Sequence, residues 1–155
     1  MSRPGTRILG VDLGERRIGL AVTDPSGVLA SPHSTLTRAA DRADDHRAIV
    51  AAATELGATC IVVGLPRSLS GQLGPAARSV LEEVSAITEV ARASGMEVDT
   101  YDERFSTMIA QRNLREATPR RGKRRKAQRE SIDASAAAVI LQSWLDARPP
   151  SDHTG

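Results

Sequence analysis

Arg7-Ile8-Leu9-Gly10-Val11-Asp12-Leu13, then Gly14-Glu15-Arg16, then Arg17-Ile18-Gly19-Leu20-Ala21-Val22-Thr23 is the stretch on which the fold turns. Both outer runs are short, apolar and rich in branched residues, as strands are, and the residues between them carry turn chemistry. The two runs therefore predict a hairpin. Asp12 is out of place in it. A carboxylate between Val11 and Leu13 is costly to bury unless it is paired, hydrogen-bonded or bound to a cation. By alternation it shares a face with Ile8 and Gly10, and Gly14 leaves room for a close approach. The competing reading is a turn aspartate that caps the hairpin.

Outward from the hairpin, Asp24-Pro25-Ser26-Gly27 is a second turn. Val28-Leu29-Ala30, continuing towards Leu36, predicts a third strand, with Pro32 favouring an edge or a bend. The period then changes. Ala39 to Leu56 carries Ile49, Ala52, Ala53 and Leu56 at helical spacing, and Gly57 is a natural stop. Thr59 to Gly64 is a continuous apolar strand, of the kind covered on both faces. Leu65 to Gly74 is a loop rich in Gly, Pro and Ser. Pro75 opens a helix whose stripe is Ala77, Val80, Leu81, Val84, Ile87 and Ala91, ended by Gly95. Glu97 to Glu103 is a fifth strand. Ser106 can cap a helix to about Glu116. Thr118 to Arg129 is a basic connector, and Ile132 to Leu145 a strongly apolar last helix. The order βββαβαβαα predicts an α/β fold: a mixed five-stranded sheet with helices on both faces. One domain is expected over residues 1–147, with a disordered tail over 148–155.

A chain of 155 residues suffices for one domain with a real core. No run approaches the roughly 18 apolar residues of a membrane helix, and the N-terminus lacks an apolar signal region. A cytoplasmic protein with no membrane partner is expected. Cys60 is the single cysteine, which excludes an internal disulfide and predicts a buried, inert thiol. Arg120, Arg121, Lys123, Arg124, Arg125, Lys126 and Arg129 supply seven positive charges, so the net +2 of the chain leaves −5 elsewhere. A mildly acidic body with one concentrated basic segment points to a polyanionic partner there, or to a solvated loop. Trp144, Tyr101 and Phe105 are too few aromatics for a base-stacking platform, so a bound nucleic acid would be read by backbone and shape.

Two further acids stand out. Asp102-Glu103 closes a strand, and alternation lets only one of the pair point at a given site. Asp133 leads a helical stripe of Ala136, Ala137, Ile140 and Trp144, and the small alanines allow a close approach to the sheet. Taken alone, Asp102-Glu103 is a solvated strand end and Asp133 an acid at a helix N-terminus. Together with Asp12 they are carboxylates from three distant segments. In one pocket they would repel, and a divalent cation removes that cost. All-oxygen ligation suits Mg²⁺ or Mn²⁺. His33, His46 and His153 show no zinc-like spacing.

Gly10-Val11-Asp12-Leu13-Gly14-Glu15-Arg16-Arg17-Ile18-Gly19 resembles the opening motif of the YqgF (RuvX-like) family. Val63-Gly64-Leu65-Pro66 with Gly71 resembles its second motif and Asp102-Glu103-Arg104-Phe105-Ser106-Thr107 its third. Ile132-Asp133-Ala134-Ser135-Ala136-Ala137-Ala138-Val139-Ile140-Leu141-Gln142 resembles its fourth. Four motifs in order cover the chain from about Arg7 to Leu145. The resemblance implies an RNase H-like fold and a nuclease whose catalytic and metal-binding acids are Asp12, Glu103 and Asp133. Asp102 is left to support the site or face solvent. Family members are described as processing the 5′ end of precursor 16S ribosomal RNA, or as cleaving Holliday junctions. Ribosomal particles are then possible partners. Junction cutting needs a dimer and RNA trimming does not, so a monomer or weak homodimer is expected.

The expected mechanism places two metal ions about 4 Å apart across a scissile phosphate, with Asp12 shared. Arg17 and Arg104 are candidates to hold flanking phosphates, or plain surface arginines. The Leu65–Gly74 loop with the helix start at Pro75 is a candidate phosphate seat or an ordinary connection. Lys123, Arg124, Arg125 and Lys126 would grip nucleic acid away from the cut, ordering on binding. The segment is more basic than the family pattern, and Lys126 is taken as its usual basic residue. A sugar-kinase or actin-like ATPase needs two related domains, which this length excludes. A non-catalytic nucleic-acid-binding factor is the remaining rival, and the intact acids count against it.

Overall fold

A computed structural model describes residues 7–66, 74–102 and 123–147, with the side chains of 123–132 left aside. Its strands are β1 (Arg7–Leu13), β2 (Arg17–Thr23), β3 (Ala30–Thr37), β4 (Ala58–Leu65) and β5 (Glu97–Asp102). Its helices are α1 (Arg42–Glu55), α2 (Pro75–Ala93) and α3 (Lys123–Ala147). The sheet order is β3-β2-β1-β4-β5. β1, β2 and β3 pair antiparallel, whereas β4 runs parallel to β1 and to β5. The mixed five-stranded sheet is therefore as expected. The predicted helix over 106–116, Glu103, Arg104 and the tail 148–155 lie outside the described residues, as does the loop between Pro66 and Gly74.

Local chemistry sets where the elements begin. β3 starts at Ala30, not Val28, because the Asp24 carboxylate takes the Val28 and Leu29 N–H groups at 2.9 and 3.0 Å. Gly27 turns the chain there with φ 74°. The Leu29 N–H, the Ser26 hydroxyl and the Val28 N–H hold the Asp24 carboxyl down at about 2. In β3, Leu20 faces Ser34 and Ala21 faces Pro32, so His33 is an extra residue in an edge-strand bulge. Pro32 thus sits at both an edge and a bend. α1 starts at Arg42 instead of Ala39: the Ala39 N–H donates to Asp45 at 2.8 Å, and Asp41 caps the helix through the Ala43 N–H. Gly57 and Gly95 end α1 and α2 with φ of 73° and 68°.

The last helix is the main correction. It starts at Lys123 and not at Ile132, so Lys123, Arg124, Arg125 and Lys126 belong to a helix and not to a connector. Lys, Arg, Gln and Ala are strong helix formers, and nothing after Gly122 interrupts them.

Strand alternation splits the interior into two layers. Leu9, Val11, Ile18, Leu20, Ile61 and Val63 face α1 and α2, meeting Ile49, Val80 and Ile87. Ala21 and Val62 face α3, meeting Ala136, Ala137, Ile140, Leu141 and Trp144. Each fully buried Leu or Ile contributes about 1.5–3 kcal/mol relative to exposure. Cys60 packs partly buried against the α3 layer, within 3.8 Å of the Ile61 carbonyl. Helices cover both faces, as the sequence predicts. At the far end of α3, Gln142 accepts from the Ala30 N–H at 2.9 Å and donates to the Val28 carbonyl at 3.3 Å, fastening the helix to β3.

Candidate active site

Asp12 lies on the central strand, and its side chain faces α3. Gly10, two residues earlier, is on that face: a Cβ there would meet the Leu141 Cβ at 2.8 Å and the Ala137 carbonyl at 2.9 Å. Asp12 pairs across the hairpin with Gly19. A Cβ on Gly19 would sit 2.1 Å from the Asp133 carbonyl oxygen. Paired residues of an antiparallel ladder share a face, with Cβ positions about 4.5–5.5 Å apart. The Asp12 Cβ is therefore under about 8 Å from the Asp133 backbone. Both acids are buried, Asp12 to 4% and Asp133 to 8% exposure. The structure thus brings together Asp12 and Asp133, 121 residues apart in sequence.

Glycine makes this contact possible. With no side chain at Gly10 and Gly19, α3 settles directly on the sheet, and its small residues Ala134 and Ala137 complete the fit. Gly14 admits a close approach as expected, and the group that approaches is the Arg17 carbonyl. A Cβ there would meet the Arg17 carbonyl at 2.7 Å, the oxygen its own N–H bonds at 3.0 Å to close the hairpin.

Arg17 shares the face of Gly19 and Ala21. Its Nε donates to Asp133 Oδ2 at 2.8 Å, with the two side chains 17% and 11% exposed. The structure therefore places Arg17 on an acid of the site, not on open surface.

Of the two acids that the sequence leaves level, Asp102 ends β5, and Glu103 lies outside the described residues. Asp99 accepts from the Trp144 indole N–H at 2.9 Å, and Tyr101 packs in the α3 layer. Val98 packs in the other layer. By the same parity Asp102 falls on the α1–α2 side of the sheet, away from the face of Asp12. Among the described residues no group of three His, Cys, Asp or Glu is placed to hold a metal. The pair that meets, Asp12 and Asp133, offers oxygen donors only, which fits a hard divalent cation and does not fit zinc. Lys123, Arg124, Arg125 and Lys126 occupy the first turn of the helix that carries Asp133. At 1.5 Å per residue they lie about 10–15 Å along the axis from it.

The sequence reading missed a second charged cluster, on the other side of the sheet. Arg38 forks onto both oxygens of Glu83 at 2.7 and 2.8 Å, and reaches Asp45 at 3.1 Å. His46 Nε2 meets Glu83 Oε1 at 2.8 Å, and Arg42 meets Glu83 Oε2 at 3.2 Å. Burial pushes the Glu83 carboxyl up, but bonds from Arg38 and His46 and the charges of Arg38 and Arg42 outweigh it, leaving it below its ordinary 4.5. The Glu83 bond raises the Arg38 guanidinium, against the opposing effect of burial. Arg38 also donates from Nε to the Gly14 carbonyl at 2.9 Å, and from its backbone N–H to the Arg16 carbonyl at 2.9 Å. The cluster thereby grips the hairpin turn beside Asp12.

A sheet of this order, with an acid on its central strand and a second on the long helix lying over it, is the RNase H-like α/β fold. Two solved structures share it. RuvC from T. thermophilus, titled in complex with a Holliday junction substrate, matches with a TM-score of 0.53 at 16% identity over 92% of this chain and 95% of that one. The Thermus thermophilus RuvC structure matches with 0.53 at 18% over the same shares. The family profile described as "RuvX: Holliday junction resolvase" matches residues 6–147. Relatives from Mycobacterium tuberculosis (strain ATCC 25618 / H37Rv) and Mycobacterium sp. (strain KMS) are 45% and 44% identical over 143 and 142 residues. Each alignment covers 92% of this chain, and 79% and 80% of the respective relatives, both named "Putative pre-16S rRNA nuclease". The chain belongs to the RuvX family.

Proposed function

We propose that this protein is a divalent-metal-dependent endonuclease that hydrolyses phosphodiester bonds of structured nucleic acid, processing the 5′ end of precursor 16S ribosomal RNA. The observation that carries the reading is that two buried acids from distant segments, Asp12 and Asp133, flank Gly19, where a side chain would keep their elements apart. The names of relatives about 45% identical over nearly the whole chain support the RNA substrate. The family profile's description supports a second reading, resolution of Holliday junctions.

Asp12 and Asp133 would hold the cation, Mg²⁺ or Mn²⁺, with Glu103 as the third ligand. The motif resemblance supports Glu103, and the strand supports setting Asp102 aside: Asp99 and Tyr101 face α3, so Asp102 falls on the other side of the sheet. The bound cation supplies Lewis acidity at the phosphate and a water acidic enough to attack at neutral pH. The protein's own part is positional. β1 and α3 fix the carboxylates on rigid elements, and the sheet face beneath them keeps water out. The basic first turn of α3 grips the backbone about 10–15 Å from the cut. That turn has four basic residues and no acid in its sequence, at the positive end of the helix. A polyanion relieves that unfavourable arrangement.

The test offers purified protein a precursor 16S fragment and a four-way DNA junction with Mg²⁺ or Mn²⁺. Asp12→Asn, Glu103→Gln and Asp133→Asn are expected to abolish cleavage while binding persists, and Asp102→Asn to retain it. Cleavage surviving Asp12→Asn overturns the reading, and preference between the two substrates decides between RNA and junction.

A further inference from the structure

Arg17 touches Asp133 through a 2.8 Å ion pair that is mostly shielded from solvent. Its neighbours explain why it is there. Arg17, Gly19 and Ala21 alternate onto the α3 face, and Gly19 places Asp133 beside Asp12. Two buried carboxylates side by side repel, and removing them from water adds to that cost. The Arg17–Asp133 ion pair delivers positive charge directly to one of these acids. The guanidinium and a divalent cation would seek the same oxygen and repel each other. They cannot both be bound there at full strength.

We infer that Arg17 is the counter-ion of the cation-free pocket. It holds Asp133 in place without metal, and an arriving divalent cation takes Asp133 from it. Arg17 thereby weakens binding of free metal. The released guanidinium, which keeps its charge, is then available to a substrate phosphate. Metal loading is coupled in this way to the arrival of nucleic acid. The inference rests on the carboxylate metal site proposed above. It makes Arg17 a positioning residue, one that acts through Asp133.

The experiment titrates Mn²⁺ into wild type, Arg17→Met, Arg17→Lys and Asp12→Asn without nucleic acid, reading free Mn²⁺ by electron paramagnetic resonance. Arg17→Met is expected to bind Mn²⁺ at least about tenfold more tightly than wild type, since a positive charge beside the site is gone. Arg17→Lys keeps the charge and is expected to stay within about threefold of wild type. Without metal, Arg17→Met should melt below wild type, and Mn²⁺ should close the gap. If Arg17→Met does not fold, Arg17→Gln, which loses the charge and keeps an N–H donor, carries the same expectation. Equal or weaker Mn²⁺ binding by the uncharged variant overturns the inference, and means that Arg17 orients Asp133 for metal instead. In that case, binding by wild type that is lost in Asp12→Asn leaves the metal site standing. No Mn²⁺ binding by any form at millimolar concentration overturns both.

Discussion

Replacing Gly19 with alanine adds one methyl group where the structure has no room for it. The new Cβ would lie 2.1 Å from the Asp133 carbonyl oxygen, 2.5 Å from its carbon and 3.1 Å from the Ala134 nitrogen. These are backbone atoms of a helix, so no side-chain rotation relieves the clash. Restoring a 3.0 Å contact requires α3 to retreat by about 0.9 Å, which is 3.0 less 2.1. That retreat carries Asp133 away from Asp12. A displacement near 1 Å at a reacting centre costs about a hundredfold in rate, equivalent to about 2.7 kcal/mol. Stability moves less. Overpacking costs about 1–3 kcal/mol, offset by about 0.5–1 kcal/mol because alanine restricts the unfolded chain more than glycine. Activity is therefore the sensitive readout. Single-turnover cleavage at saturating metal should fall about a hundredfold in Gly19→Ala. Gly10→Ala is the control. Its Cβ overlaps Leu141 and Ala137 by only 0.1–0.2 Å against the same 3.0 Å limit, about one to two helical turns beyond Asp133. It should lower the urea midpoint and leave the rate near wild type. A wild-type rate in Gly19→Ala, or an equal loss in Gly10→Ala, refutes the geometric account.

The Glu83 cluster and the basic turn of α3 give two further expectations. Glu83→Gln takes the charge and one acceptor oxygen from the Arg38 fork at a site where the Glu83 side chain is 4% exposed, leaving Asp45 as its carboxylate partner, and should cost up to about 3–5 kcal/mol near neutral pH. Because the folded-state carboxyl is lowered, its contribution is complete above the ordinary 4.5 and is lost as pH falls through the lower folded value. The gap in melting temperature between wild type and variant should therefore close below pH 4.5, and a gap unchanged down to pH 3 contradicts this. Changing Lys123, Arg124, Arg125 and Lys126 together to glutamine keeps helix propensity and removes four charges. The slope of log affinity against log salt should flatten by up to about 3–4 units; an unchanged slope returns that turn to a solvated face.

The sequence was most legible where the signal is local. Alternation in β1 exposed Asp12 as an anomaly, and helical spacing put Asp133 on the stripe of Ala136, Ala137, Ile140 and Trp144. Both hold in the structure. Less local facts were not legible. Glu83 and Val84 both fit the spacing of Val80, Ile87 and Ala91, and hydrophobicity favours Val84. Only the arrival of Arg38, 45 residues earlier, makes Glu83 a buried residue. The run from Lys123 to Arg129 reads as a connector by charge and as a helix by propensity, and propensity prevailed. Asp102 and Glu103 are indistinguishable until the neighbours of Asp99 and Tyr101 are known. Gly19 reads as an ordinary strand glycine until a helix from the other end of the chain lies on it.

Two charged networks, one on each side of the sheet, end on the same short turn. From the α1–α2 side, Arg38 holds the carbonyls of Gly14 and Arg16 while Glu83 and Asp45 hold Arg38. On the α3 side, Arg17 leaves that turn to hold Asp133. Asp12 lies two residues before Gly14 and Arg17 reaches Asp133, so the turn adjoins both described acids. The tip of the hairpin, where the Gly14 N–H meets the Arg17 carbonyl at 3.0 Å, is the part of the ladder most open to fraying if left alone. Anchored from both faces, it becomes a fixed point. Holding catalytic groups within fractions of an ångström requires such support from beneath. On the proposed function, the Arg38 cluster would therefore support the site from the opposite face of the sheet, through the Gly14 and Arg16 carbonyls.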